Sequence, residues 1–159
     1  MCRKIVRFEF LNWLKRDHPF GESPRSSKKT IYRLKDPFLL FWYRIVLPNH
    51  SLLERDLIDA VYAESQNHFK AQTAEIWEEM ARKSTAHLNI ANIRWKPGQR
   101  WWWGGRDGKN MEIDIIAESL DNKFLLFGEV KWEKKTNIKA TISKLKKSVI
   151  NFPKQTDKK

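Results

Sequence analysis

The chain has 159 residues, with 31 Lys and Arg against 19 Asp and Glu and a formal net charge of +12. Hydrophobic residues make up 41%, including eight Trp and nine Phe, which suits a packed core and excludes a disordered chain. One cysteine, Cys2, excludes a disulfide framework or a cysteine zinc site, and no apolar run approaches the roughly 20 residues of a membrane span.

The four histidines, His18, His50, His68 and His87, are scattered without a paired metal-ligand spacing. The N-terminus lacks the uninterrupted apolar stretch of a signal peptide. The expectation is a soluble cytoplasmic protein with an anionic partner, most commonly nucleic acid for so basic a chain.

In chain order, KIVRFEFLNWLKR (residues 4–16) spaces its apolar side chains near the helical period and predicts a short helix, although its aromatics also suit a strand. PFGESPRSSKK breaks regular structure and reads as a loop. TIYRL follows as a short strand. DPFLLFWYRIVLP predicts a helix, with Asp36 as N-cap and Pro37 at its first position. From Ser51 to Ser84 the pattern is mostly helical, with Ser51 as a cap and Glu54 as its capping-box partner. Phe69, Thr73, Trp77 and Met80 form one stripe, which predicts a core face with Glu78 at its border.

After Ala86 the period changes. HLNIANIRW and QRWWW suit one or two strands. GGRDGKN is a hairpin turn centred on Asp107-Gly108. It is no phosphate loop, because the glycine spacing is one residue short and Asn110 stands where Ser or Thr should bind magnesium. MEIDIIAES alternates, with Met111, Ile113, Ile115 and Ala117 on one face and Glu112, Asp114 and Ile116 on the other. LDNK is a second turn and FLLFGEVKW the next strand, so the three strands form an antiparallel meander. Ile138, Ile142, Leu145 and Val149 recur at helical spacing among Lys139, Lys144, Lys146 and Lys147, a basic amphipathic helix.

The candidate chemistry lies at Asp114, Glu129 and Lys131. Residues two apart on a strand share a face, so Glu129 and Lys131 point together, and Asp114 in the paired strand lies alongside. Two such carboxylates can hold magnesium, which lowers the pKa of a bound water and stabilises phosphoryl charge. Lys131 can position that water, and Glu78 can complete the shell. The plainer alternative is a cross-strand ion pair worth under about 1 kcal/mol. Two features favour a site. Glu129 and Lys131 continue the apolar stripe of Leu125 and Phe127, and Glu112 and Asp114 bring like charges to one side.

The order Glu78 in WEEM, Asp114 in MEIDIIA and Glu129-Val130-Lys131 in FGEVKW resembles the PD-(D/E)XK nuclease superfamily. More closely, KTIYRLKDPFLLFWYRIVLPN, RWWWGGRDGKNMEIDIIA and FLLFGEVKW resemble the C-terminal domain of prokaryotic AAA-type ATPases of archaea and some bacteria. The resemblance runs from about Pro19 to Trp132. It implies an α/β fold with a restriction-endonuclease-like core (helix, three-stranded meander, helix) within residues 36–159, after a partial winged-helix segment over 1–35. It also implies a magnesium-dependent nuclease-like domain with Glu78, Asp114, Glu129 and Lys131 as catalytic residues and Asp114 and Glu129 as metal ligands. The basic tail helix, with Lys28, Lys29 and Arg33 in the wing, would hold DNA phosphates, and an AAA ATPase module would be a partner. The family's ATPase module and the superfamily's usual fourth strand are missing, so the expectation is a chain truncated at both ends. Two non-catalytic readings stand beside this one: a nucleic-acid-binding module, and a protein-interaction domain that docks through Trp101–Trp103.

Overall fold

The computed structural model describes residues 13–23, 29–104, 110–133 and 135–153. They form a mixed α/β fold of small sheets and helices in two compact units. One takes in the described parts of Met1–Asp17 and Ile31–Ile76, the other those of His18–Thr30 and Trp77–Lys159.

The first unit opens with strand β1 (Leu14–Asp17), antiparallel to β2 (Ile31–Leu34), with Leu14 opposite Leu34 and Asp17 opposite Ile31. The helix predicted over 4–16 is therefore corrected at its end, since Leu14–Asp17 is strand; residues 1–12 lie outside the described residues. The ladder with IYRL satisfies the backbone of these residues and outweighs their helical spacing. Helix α1 (Pro37–Phe41) starts as expected. Asp36 Oδ1 accepts from Phe38 N–H at 2.7 Å, and Pro37 occupies a position where no N–H is needed.

The helical path continues through a π turn (Trp42–Val46) and a 3-10 turn (Leu47–Asn49) into the short α2 (His50–Leu53). Ser51 sits inside α2, so it is not the cap of a capping box with Glu54. The chain instead turns at Asp56, whose φ is 58°, and restarts as α3 (Ile58–Ser84). Phe69 of α3 meets Phe41 and Tyr62 at centroid distances of 6.0 and 5.9 Å.

The second unit contains the last turns of α3, then a hairpin of β3 (Asn89–Ile90) and β4 (Ile93–Arg94). Ala91 and Asn92 form its turn with φ of 57° and 58°, the left-handed pair that a two-residue hairpin needs. Strands β5 (Gln99–Gly104), β6 (Asn110–Glu118) and β7 (Leu125–Gly128) form the expected antiparallel meander in that order. The turn expected at GGRDGKN lies mostly outside the described residues. The turn at LDNK is present. Asn122 has φ 59°, and the Ser119 hydroxyl accepts from the N–H groups of Lys123 and Phe124. Helix α4 (Ile138–Ile150) is capped by Asn137, whose Oδ1 accepts from Ala140 N–H at 3.1 Å.

Trp101, Ile113 and Ile116 form the core of this unit, with Phe20, Phe127, Leu145, Val149 and Phe152 packed on it. β6 is covered on both faces, because Ile113, Asp114, Ile116 and Ala117 are all buried. Three expectations are corrected here. The core stripe of α3 fails at Trp77 and Met80, which are 41% and 57% exposed. In α4, Leu145 and Val149 reach the core, but Ile138 and Ile142 are exposed. β7 ends at Gly128, so Glu129 and Lys131 lie just beyond the strand. Among the described residues no helix is long and apolar enough to cross a membrane.

Candidate functional site

The geometry at Asp114 follows from the register of β6 and β7. Ile115 faces Gly128, the last residue of β7, so the step past that pair brings Asp114 of β6 and Glu129 together at the end of the ladder. Gly128 lets the strands approach there, since a Cβ on it would lie 3.3 Å from Ile115 Cβ. Val130 N–H then donates to Asp114 Oδ2 at 2.8 Å and pins the segment that carries Glu129 and Lys131.

Both carboxylates are withdrawn from water: Asp114 is 8% exposed and the Glu129 side chain 6%. Burial raises the Asp114 pKa above the ordinary carboxylate range, and the Glu129 charge adds to the rise. The Val130 N–H and the charges of Lys131 and Arg82 oppose it. Lys131 Nζ donates to Glu129 Oε1 at 2.6 Å, and this bond raises the lysine pKa, so the ammonium stays charged at neutral pH. Lys144 of α4 lies 3.7 Å from the same oxygen. Among the described residues no hydrogen bond engages Asp114 Oδ1 or Glu129 Oε2.

Glu78 does not join the pair directly. Its Oε2 lies 3.5 Å from Arg82 Nη1, and that nitrogen donates to the Asp114 carbonyl at 3.2 Å. Arg82, buried within the unit, is the residue that sequence reasoning missed. Its signal was there: it stands four residues after Glu78, the spacing of an ion pair on one helix face. Among the described residues no group of three or more His, Cys, Asp or Glu side chains gathers around one point. Magnesium commonly takes only one or two protein carboxylates, with waters and substrate phosphates completing its octahedron. The two unengaged oxygens of Asp114 and Glu129 fit that donor set.

Glu112, expected to add like charge beside Asp114, is matched by the Arg100 guanidinium. Of the cations assigned to phosphates, Lys28 lies outside the described residues. Lys29 pairs with Glu22 at 3.2 Å and sits 4.0 Å over the Trp103 ring. Arg33 is committed to Asp17 and Glu75 within the first unit. Trp101 is core, Trp102 lies beside the Arg100 guanidinium, and Trp103 is 39% exposed.

Residues 42–143 match the family model DUF234, described as archaeal and bacterial proteins of unknown function. The chain belongs to this family. The match takes in the whole of α3, the meander and the carboxylate pair. A relative in Methanocaldococcus jannaschii, the uncharacterized protein MJECL04, is 31% identical over 134 residues. That alignment covers 82% of this chain and 28% of the relative, so the chain spans little more than a quarter of the relative's length. No solved structure matches the chain significantly.

Proposed function

We propose that this DUF234 chain is a magnesium-dependent, nuclease-like phosphodiesterase domain of the PD-(D/E)XK, restriction-endonuclease-like kind, acting on DNA. The observation that carries the reading is the buried pair itself. Two carboxylates held together out of water repel one another, and although Lys131 and Lys144 lie on one Glu129 oxygen, burial still leaves Asp114 costly to ionise. A bound divalent cation removes the repulsion, activates water and stabilises phosphoryl charge. Asp114 and Glu129 offer one unengaged oxygen each to such an ion. Lys131, kept protonated by Glu129, donates to a phosphate oxygen or orients the attacking water. Glu78 acts through Arg82, which holds the Asp114 backbone in place.

Calorimetry with magnesium and manganese tests the reading. The expected result is one site in the wild type that disappears in Asp114→Ala. A folded wild type with no site would sink it. A second reading, metal-independent nucleic-acid binding, draws on Lys139, Lys146 and Lys147 of α4, which are exposed and form no ion pair among the described residues. The β1–β2 hairpin as the wing of a partial winged helix, and an AAA ATPase as partner, rest on the sequence resemblance.

A further inference from the structure

Two indole rings stand next in the chain to residues of the candidate site, and neither belongs to the core. Trp77 is 41% exposed and Trp132 is 53% exposed. Their centroids lie 5.3 Å apart with planes tilted by 56°. Each is the chain neighbour of a site residue: Trp77 precedes Glu78 and Trp132 follows Lys131. Their contact therefore ties the helix turn bearing Glu78 to the segment bearing Lys131.

The other tryptophans of this unit have settled surroundings. Trp95 and Trp101 are buried. The rings of Trp102 and Trp103 are engaged by Arg100 and Lys29. Among the described residues the one aromatic contact of Trp77 and Trp132 is with each other: no cation covers either ring, and neither indole N–H has a protein acceptor. Leaving two such large rings half in water forgoes the stabilisation their burial would give.

We propose that Trp77 and Trp132 form a stacking platform for an unpaired base, so that the site takes single-stranded nucleic acid. This rests on the phosphodiester-binding reading above and names its substrate class. A duplex hides the faces of its bases in its own stack, whereas a single strand offers every face to an aromatic side chain. Planes tilted by 56° cannot both lie flat on the same base, so the pair suits one stacked base rather than a run of them. The backbone of that nucleotide then runs toward Lys131 and Lys144, the cations gathered at Glu129.

The test is fluorescence anisotropy with labelled oligo(dT), oligo(rU) and a duplex, each of about 12 nucleotides or base pairs, the span of an ordinary single-strand site. EDTA is present throughout, so the result does not depend on metal. The wild type should prefer the single strands. Trp132→Ala and Trp77→Ala should each weaken single-strand binding by about 5- to 150-fold, the range for removing one stacked base. Duplex binding should be unaffected, and Trp132→Phe should restore most of the loss. The stronger of the oligo(dT) and oligo(rU) arms identifies DNA or RNA as the strand.

Unchanged single-strand affinity in Trp132→Ala, or an equal loss on the duplex, overturns the proposal. The first outcome would leave the pair as a protein-facing surface. Circular dichroism checks each variant's fold. If Trp77→Ala is perturbed, Trp132→Ala decides, because Trp132 lies outside any helix or strand. Metal binding without a tryptophan effect sinks the platform alone. A tryptophan effect without metal binding sinks the catalytic reading alone.

Discussion

Asp114 carries a cost that its chemistry would explain. Its folded-state pKa lies above the unfolded value because burial disfavours the charge. The native state therefore binds the proton more tightly than the unfolded chain, and the wild type loses stability as pH rises through the raised pKa. Asp114→Asn removes that charge and keeps an acceptor for Val130 N–H. The variant should be more stable than the wild type at pH about 7, and the gain should vanish as pH falls toward about 3.9, where the unfolded carboxyl also protonates. Urea titrations at both pH values check this, and a variant destabilised at neutral pH would contradict it. Metal binding should be lost in the same variant. Lys131→Met should act differently, keeping the metal but lowering cleavage by roughly 100-fold or more, the usual effect of removing one transition-state donor. Single-turnover cleavage at saturating magnesium measures that.

Two elements of the second unit invite direct tests. Gly98 donates its N–H to Arg82 O at 2.8 Å, and a Cβ there would meet Ile115 Cγ2 at 2.8 Å and Arg82 O at 3.2 Å. Gly98→Ala should lower stability by about 1–3 kcal/mol, the usual cost of overpacking. It should also weaken metal binding, since it pushes on the neighbours of Asp114. The β3–β4 turn predicts the opposite sign. Ala91 holds φ 57° without the freedom of glycine, and Ala91→Gly should stabilise by about 1 kcal/mol in thermal melts.

At this scale the sequence was most legible where local chemistry decides the outcome. The Asp36-Pro37 helix start, the LDNK turn and the three-strand meander were all readable from short stretches. The legible part of the site was the Asp114–Glu129–Lys131 group: hairpin pairing brings Asp114 to Glu129, whereas Lys131 lies beyond the strand and is held by its bond to Glu129. The failures came from long-range partners. A helical stripe shows that Trp77 and Met80 share a face, but not how much of that face is left exposed. The ladder that makes Leu14–Asp17 a strand lies in residues some 17 positions away, as the pairing of Leu14 with Leu34 and Asp17 with Ile31 requires. Arg33 looked like a surface cation because Glu75, its partner across 42 residues, is invisible to local spacing.

For the whole molecule, the formal charge of +12 makes affinity for any polyanion sensitive to salt. The composition gives the sign of that effect, and the exposed lysines of α4 give a place to test it. Lys29 and Arg33 face acidic partners within the protein, whereas Lys139, Lys146 and Lys147 stand exposed along one helix. Replacing those last three with Ala should reduce the slope of log K against log salt for a single strand by about 2, at roughly 0.7 for each phosphate no longer neutralised. A salt titration of oligo(dT) binding checks the figure. An unchanged slope would move the phosphate track away from α4.

The bond from Val130 N–H to Asp114 has a practical corollary. Its donor belongs to the backbone between Glu129 and Lys131, so no ordinary side-chain change at Val130 removes it. The amide proton of Val130 is thus a built-in gauge of the charge on the buried carboxylate. Its NMR resonance should move as Asp114 takes up a proton or a cation, and it would report the occupancy of the site without a substrate, a label or a turnover.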